Sequence, residues 1–231
     1  ISACLVGSEM CIRDSLTPFF VAVPTNSSWK SMGDLIKAAK SEPGKVSYGS
    51  WGVGSPGHLG GEWLDFLTGS KMTHVPYREV SQLYTSVANG DPAWSFASIP
   101  SSQGIYKSGK IRYLAVAAPQ RIAQMPDVPT VAESGGPADL IVNSFVSLLA
   151  PKGVDAALRD RIHADVVAVL QDPQVREKFA TFAFQPITWE VPEMEKFART
   201  KADQYKLLIQ KANISLDLSL IHISEPTRQA E

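Results

Sequence analysis

Cysteine is almost missing from this chain: of 231 residues only Cys4 and Cys11 carry a thiol, and both fall within the first fifteen positions. That excludes a disulfide framework, a cysteine zinc site and a thiolate nucleophile from the remainder. An excess of charge of one sign is missing too. Lys and Arg number 22 against 23 Asp and Glu, a formal net charge of −1, so no electrostatic field recommends nucleic acid or an anionic membrane surface as partner. No apolar run approaches the roughly 20 residues of a transmembrane helix. Histidine is sparse, and His58, His74, His163 and His222 show no metal-ligand spacing, so neither a metal nor a cofactor is expected.

The two ends stand apart from the rest. One DNA oligonucleotide can encode Leu5 to Ser15, and its reverse complement encodes Leu218 to Thr227. We read residues 1–15 and 218–231 as non-native, adapter-derived tails and leave them out of the fold expectation. Their removal takes away Glu9, Asp14, Glu225, Glu231, Arg13 and Arg228, which leaves 19 acids against 20 bases, a net of +1. Roughly 200 residues remain, enough for one large or two small domains with a sizeable core.

From Leu16 onward the pattern alternates between strand and helix. Phe19 to Val23 is a continuous apolar run closed by Pro24, as in a buried strand. Ser31 with Asp34 forms a capping box for a helix that presents Met32, Leu35, Ile36 and Ala39 on one face. Further strands are expected at Met72–Val75, Trp94–Ser98, Ile111–Ala117, Leu140–Ala150 and Phe184–Thr188, with a helix at Ser81–Asn89 and a short turn or helix at Pro100–Ser108. Thr130 and Glu133 form a second capping box, expected to open a short helix halted by Gly135-Gly136-Pro137. The last third is mainly helical: Leu158, Ile162, Val166, Val169 and Leu170 stripe one helix, and a second, begun by Asp172-Pro173, is expected to bury Val175 and Phe179. A long one from about Pro192 carries Met194, Phe197, Tyr205 and Leu208. This alternation predicts an α/β architecture with a largely parallel sheet.

The most specific chemistry lies between Tyr48 and Glu62. A short strand ends in a loop with Gly49, Gly52, Gly54 and Gly57, whose freedom at positive φ lets backbone approach a ligand closely. Ser55 is a good N-cap, Pro56 suits the first helical position, and Leu59, Trp63, Phe66 and Leu67 give an apolar face. Free N–H groups and the positive end of the macrodipole make such a helix start a site for carboxylate or phosphate. Gly52 to Gly57 also matches G-x-G-x-x-G, with Glu79 where a dinucleotide fold has its ribose-binding acid. Against that reading, Ser50-Trp51 separates strand from first glycine, and Pro56 sits before the last. Gly49-Ser50-Trp51-Gly52 approaches a nucleophile elbow, but Tyr48 occupies the place of its first glycine, and no spacing recommends His74 or His163 as the base. His58 and Glu62 share a helix face but are too few for a metal; the plainer reading of His58 is a capping-turn residue near solvent or a bound anion, and of His74 a packed, hydrogen-bonded one. Trp51 is placed to wall a pocket.

Five ordered blocks, Lys45–Glu62, His74–Arg78, Gly109–Val116, Pro126–Gly135 and Leu149–Gly153, resemble in order and spacing the solute-binding proteins of tripartite tricarboxylate transporters, the Bug-type receptors. The resemblance covers Leu16 to Ile214. It implies a type II periplasmic-binding-protein-like α/β fold, with two lobes that close by a hinge over a small organic carboxylate. Residues 25–141 would be the ligand-binding second lobe, and 16–24 with 142–217 part of the first. Phe19–Pro24 would be one crossing strand and Val142–Ala150 the return. The first lobe is expected to be incomplete, without the half that carries a second glycine-rich loop, and this truncated chain is expected to bind carboxylates weakly and to expose an apolar face.

Residue by residue, the resemblance implies ligand binding by Ser50, Gly54, Ser55 and His58, joined by Tyr77 and Arg78 at the next strand end and by Ser98. Two departures bear on the ligand: Glu79 stands where a glycine is usual, and Ala97-Ser98 replaces a common Asp-Asn. The implied protein is a periplasmic, monomeric, non-enzymatic receptor whose partners are a carboxylate and membrane transporter subunits. The alternatives are a carboxylate sensor for a membrane signalling system and a nucleotide-dependent enzyme using the glycine loop.

Overall fold

The apolar run after Phe19 forms a strand with no exposed residue. In this computed structural model, which describes residues 8–151, 153–187, 189, 191–211 and 214, β2 (Phe20–Pro24) is an inner, fully buried strand of a five-stranded sheet. Its neighbours are β5 (Trp94–Ala97) and β6 (Ile111–Val116), both antiparallel to it. On the far side of β5 come β3 (Ser47–Ser50) and β4 (Thr73–Pro76), parallel to one another, with β3 parallel to β5, so the order is β4-β3-β5-β2-β6. The sheet is therefore mixed where a largely parallel one was expected. An uninterrupted apolar run reports burial on both faces and carries no information about strand direction.

Helices cover both faces. α1 (Met32–Ser41) and α2 (Pro56–Thr68) pack on one side, where Met32, Leu35 and Leu64 meet Tyr48, Trp94 and Phe96. On the other side lie α3 (Val80–Asn89) and α4 (Ile99–Lys107), whose Leu83, Tyr84 and Ile99 join Phe20, Ala97 and Val116. The Ser31 capping box forms as expected, Ser31 Oγ accepting from Asp34 N–H and the Asp34 carboxylate from Ser31 N–H. The Thr130–Glu133 box also forms, with bonds of 2.7 and 3.2 Å, but closes a turn in place of the expected short helix. Gly135 adopts a φ of +84° and ends the winding one turn in.

A second unit is built on β1 (Ser8–Pro18), which lies between β7 (Asn143–Pro151) and β8 (Gln185–Pro186), antiparallel to both. It carries α5 (Ala156–Gln171), α6 (Pro173–Thr181) and α7 (Val191–Lys211). The ladder reaches upstream to Ser8, through positions set aside in the sequence reading, with irregularities between Met10 and Ile12 and between Arg13 and Ser15. Backbone pairing needs only an extended segment beside an open edge, and the register set by Leu16 to Pro18 carries it on. Thr188 and the tails at 1–7 and 218–231 lie outside the described residues.

Helical striping predicted more burial than this unit provides, although Leu170, Met194 and Leu208 are buried. Val175 and Phe179 are only half-buried, and Leu158 and Val169 are 51% and 57% exposed. Val146 and Leu148 on β7 are exposed too.

One residue, Phe19, separates β1 from β2, and it is where the chain passes between the two sheets. Its N–H donates to the Val142 carbonyl (3.0 Å), and its carbonyl accepts from Ala117 N–H (2.8 Å), while Val142 N–H donates to the Ala117 carbonyl (3.0 Å). The crossings are thus at Pro18–Phe19 and Val142–Asn143, side by side. Phe19–Pro24, expected to be the crossing itself, belongs almost wholly to the five-stranded sheet, and the strand expected from Leu140, with its crossing from Val142, begins at Asn143.

Candidate functional site

Three parallel strands, β3, β4 and β5, end on one edge of the larger sheet, and each leads into a helix N-terminus there: α2, α3 and α4. Phe20 pairs with Ala97 and with Val116, so the interlobe crossings lie on the same edge. Strand carboxyl ends and helix amino ends thus face the junction between the units, the usual place for a ligand crevice in an α/β sheet.

The glycine loop owes its shape to two separate demands. Gly52 and Gly54 have φ of +112° and +79°, as the loop reading required. Gly49 and Gly57 do not; they admit neighbours, since a Cβ at Gly49 would lie 2.3 Å from Leu83 and one at Gly57 2.9 Å from Trp51. Gly60 and Gly61 extend this along α2, letting Val142 and Tyr48 against the helix. Trp51 stands inside the loop, 5.0 Å from the Phe19 ring, and burial raises the pKa of Tyr84.

Beneath the loop lies a buried polar chain. His58 is 6% exposed, so it is buried and not near solvent, one of the two placements expected of it. Its Nδ1 accepts the Gly54 N–H (3.0 Å), which places the proton of the neutral ring on Nε2, 3.7 Å from Glu62 Oε1. Tyr48 donates its hydroxyl to the same Glu62 oxygen (2.8 Å). The His58 ring stacks on that of His74 at 3.9 Å and 18°. His74 Nε2 stands 2.6 Å from Ser50 Oγ, which accepts the Gly52 N–H (3.2 Å). Burial lowers the His58 pKa; burial and then the His58 charge push that of His74 down to about 4. Burial also raises Glu62, against the Tyr48 hydrogen bond, and raises Tyr48.

Ser50 and His74 thus meet although no spacing predicted it. The pairing is not a nucleophile and base. Ser50 is 1% exposed, so no substrate carbonyl reaches its hydroxyl, and among the described residues no carboxylate orients the other His74 nitrogen.

The remaining sequence-predicted residues lie between the strand ends and the helix starts. Ser55 caps α2, its Oγ accepting from His58 N–H (3.3 Å), and is half-buried, while the first-turn amide of Gly57 takes no acceptor among the described residues. Gly54 also borders a groove of about 120 Å³ that it shares with Pro56, Asn143, Phe145 and Tyr205 of the second unit. Tyr77 donates to the Asp91 carbonyl (3.3 Å), and Arg78 is exposed, with no ion pair among the described residues. Ser98 is buried, its Oγ 2.7 Å from that of Ser101, which in turn meets the Tyr84 hydroxyl at 2.8 Å. Sequence reasoning missed Ser101, Tyr84, Tyr48 and Glu62 as members of the site. The i, i+4 spacing of His58 and Glu62 signalled only part of that chain.

A mixed five-stranded sheet with helices on both faces, joined by two adjacent crossings to a second α/β unit, defines the two-lobed periplasmic-binding-protein fold. The profile of the "Tripartite tricarboxylate transporter family receptor" matches residues 11–214, and the chain belongs to that family. A UPF0065 protein in the gbd 5' region of Cupriavidus necator is 30% identical over 197 residues, covering 85% of this chain and 59% of that protein. Protein BugT of Bordetella pertussis is 25% identical over 186 residues, covering 80% of this chain and 57% of its own length. The chain therefore spans less than two thirds of these relatives. Among solved structures, R. palustris Rpa4515 with adipate superposes with a TM-score of 0.79 at 25% identity, covering 90% of this chain and 70% of that one. A structure described as a periplasmic transporter gives 0.77 at 30%, with 91% and 70% covered.

Proposed function

We propose that this chain is the ligand-gripping part of a periplasmic receptor that captures a small organic carboxylate and hands it to a tripartite tricarboxylate-type transporter. The observation that carries the reading is the convergence of three helix N-termini and the uncommitted Arg78 guanidinium on the edge that faces the interlobe junction. Partial positive charge from first-turn amides and one mobile cation suit a carboxylate, and the solved relative with adipate supports that ligand class. The groups assigned to the anion are the Ser55 hydroxyl and Arg78, with the buried Gly57 amide contributing its dipole from behind; Ser50 and His58 hold the loop from below, and Ser98 shapes the α4 end. Nothing in the site calls for bond breaking, so binding and release are the whole chemistry.

The test is calorimetry and thermal shift with mono-, di- and tricarboxylates beside NAD(P)H. Stabilisation by a carboxylate, weakened about tenfold in Arg78→Ala and further by salt, is the expected result. Stabilisation by the dinucleotide alone would reject the reading.

A further inference from the structure

The glycine loop is held at both ends by two imidazoles that also touch each other. At its start, the Gly52 N–H bonds Ser50 Oγ, and that oxygen meets His74 Nε2 at 2.6 Å. Toward its end, the Gly54 N–H bonds His58 Nδ1 at 3.0 Å. Gly52 and Gly54 are the two positions of positive φ in the loop, so each imidazole secures the residue whose backbone conformation makes the turn. The rings are stacked at 3.9 Å, so moving one displaces the other. Behind His58, the Tyr48 hydroxyl fixes Glu62, whose Oε1 faces His58 Nε2. That arrangement selects the tautomer with the proton on Nε2 and leaves a lone pair for Gly54.

We propose that His58 and His74 are positioning residues that set the glycine loop in its anion-gripping shape as one neutral stacked pair, His58 by accepting the Gly54 amide and His74 by bonding Ser50 Oγ, the oxygen that accepts the Gly52 amide. This inference rests on the carboxylate-binding reading for its purpose but not for its geometry. Its chemistry is specific: a protonated His58 has no lone pair on Nδ1, so the Gly54 amide loses its acceptor and the loop loses an anchor. Two charged rings cannot share the stack. The titratable groups facing the pair are Glu62 on α2 and Tyr48 on β3, with Asp65 one turn further along α2. Glu62 is the one that could partner a charged His58, through Nε2, and this does not restore the acceptor on Nδ1.

The experiment is nitrogen NMR on the whole chain, following the imidazole nitrogens and the Gly54 amide as pH is lowered from about 7.5 to 4.5. At neutral pH His58 should show the Nε2–H tautomer, and the Gly54 amide should shift in step with His58 protonation. His58→Asn keeps an acceptor at the Nδ1 position, so it should preserve slow Gly54 hydrogen exchange and abolish the pH response. His58→Leu keeps the bulk without the acceptor and should speed that exchange at least about tenfold. In parallel, adipate binding at pH 7.5 should weaken about tenfold in His58→Leu and little in His58→Asn. An Nδ1–H tautomer in the wild-type chain, or a Gly54 amide indifferent to His58, would overturn the proposal with no variant needed. Failure of wild-type protein to bind adipate, with the NMR results as expected, would count against the ligand reading and leave the loop device standing.

Discussion

At the scale of single residues, the tightest fit in the lobe is glycine against aromatic ring. A Cβ on Gly61 would stand 2.2 Å from the Tyr48 ring, which is wedged between α2 and Trp94, so neither side can give way easily. Gly61→Ala should lower stability by about 1–3 kcal/mol in urea unfolding. Gly104, within α4, has nothing within 4 Å of the same added atom, and Gly104→Ala should raise stability by about 0.5–1 kcal/mol. Similar behaviour of the two variants would refute the packing account.

The histidines give a pH dependence of known sign. Their folded pKa values are depressed, His74 to about 4, so below the unfolded value of roughly 6.5 the unfolded chain binds protons that the folded chain refuses. Stability should therefore be level above about pH 7 and fall as pH drops toward 4. The raised Glu62 acts the opposite way above its unfolded value of about 4.5. Denaturation midpoints measured across this range should flatten in His58→Asn, and an unchanged slope would contradict the assignment.

Elements show what a sequence can and cannot disclose. Caps are local, so both boxes were legible: Ser31 with Asp34, and Thr130 with Glu133. Ser31→Ala should cost about 1 kcal/mol of unfolding free energy. The number of helical turns beyond a cap is not a local property, and the second box closes one turn only. Strand direction was equally hidden, because β2 is buried on both faces in either orientation. The Ser50–His74 contact depends on the parallel register that sets Tyr48 against His74 and Ser50 against Pro76, a pairing across 24 residues that no motif encodes. The glycine loop was legible as a loop. That its amides are partly spent on histidines beneath it was not, because His58 looks the same in sequence whether it turns toward solvent or under the loop.

For the whole molecule, the exposed apolar side chains concentrate in the second unit. Val146, Leu148, Leu158 and Val169 each expose about half or more of their surface, too much for a monomeric surface if they form one patch. The protein should associate as its concentration rises, visible in sedimentation or light scattering. Leu148→Lys with Leu158→Glu should reduce that association while changing stability by less than about 0.5 kcal/mol. Unaltered association would place the sticky surface elsewhere.

The paired crossings have a further consequence. The chain enters the larger lobe at Phe19 and leaves it at Val142 with the two backbones hydrogen-bonded at 3.0 Å. A segment whose ends meet in this way needs no bridging linker, so it can be spliced into a surface turn of an unrelated host without stretching either partner. Residues 19–142 form such a cassette, and inserted into a fluorescent reporter they would turn any tightening of the glycine loop into a change in emission.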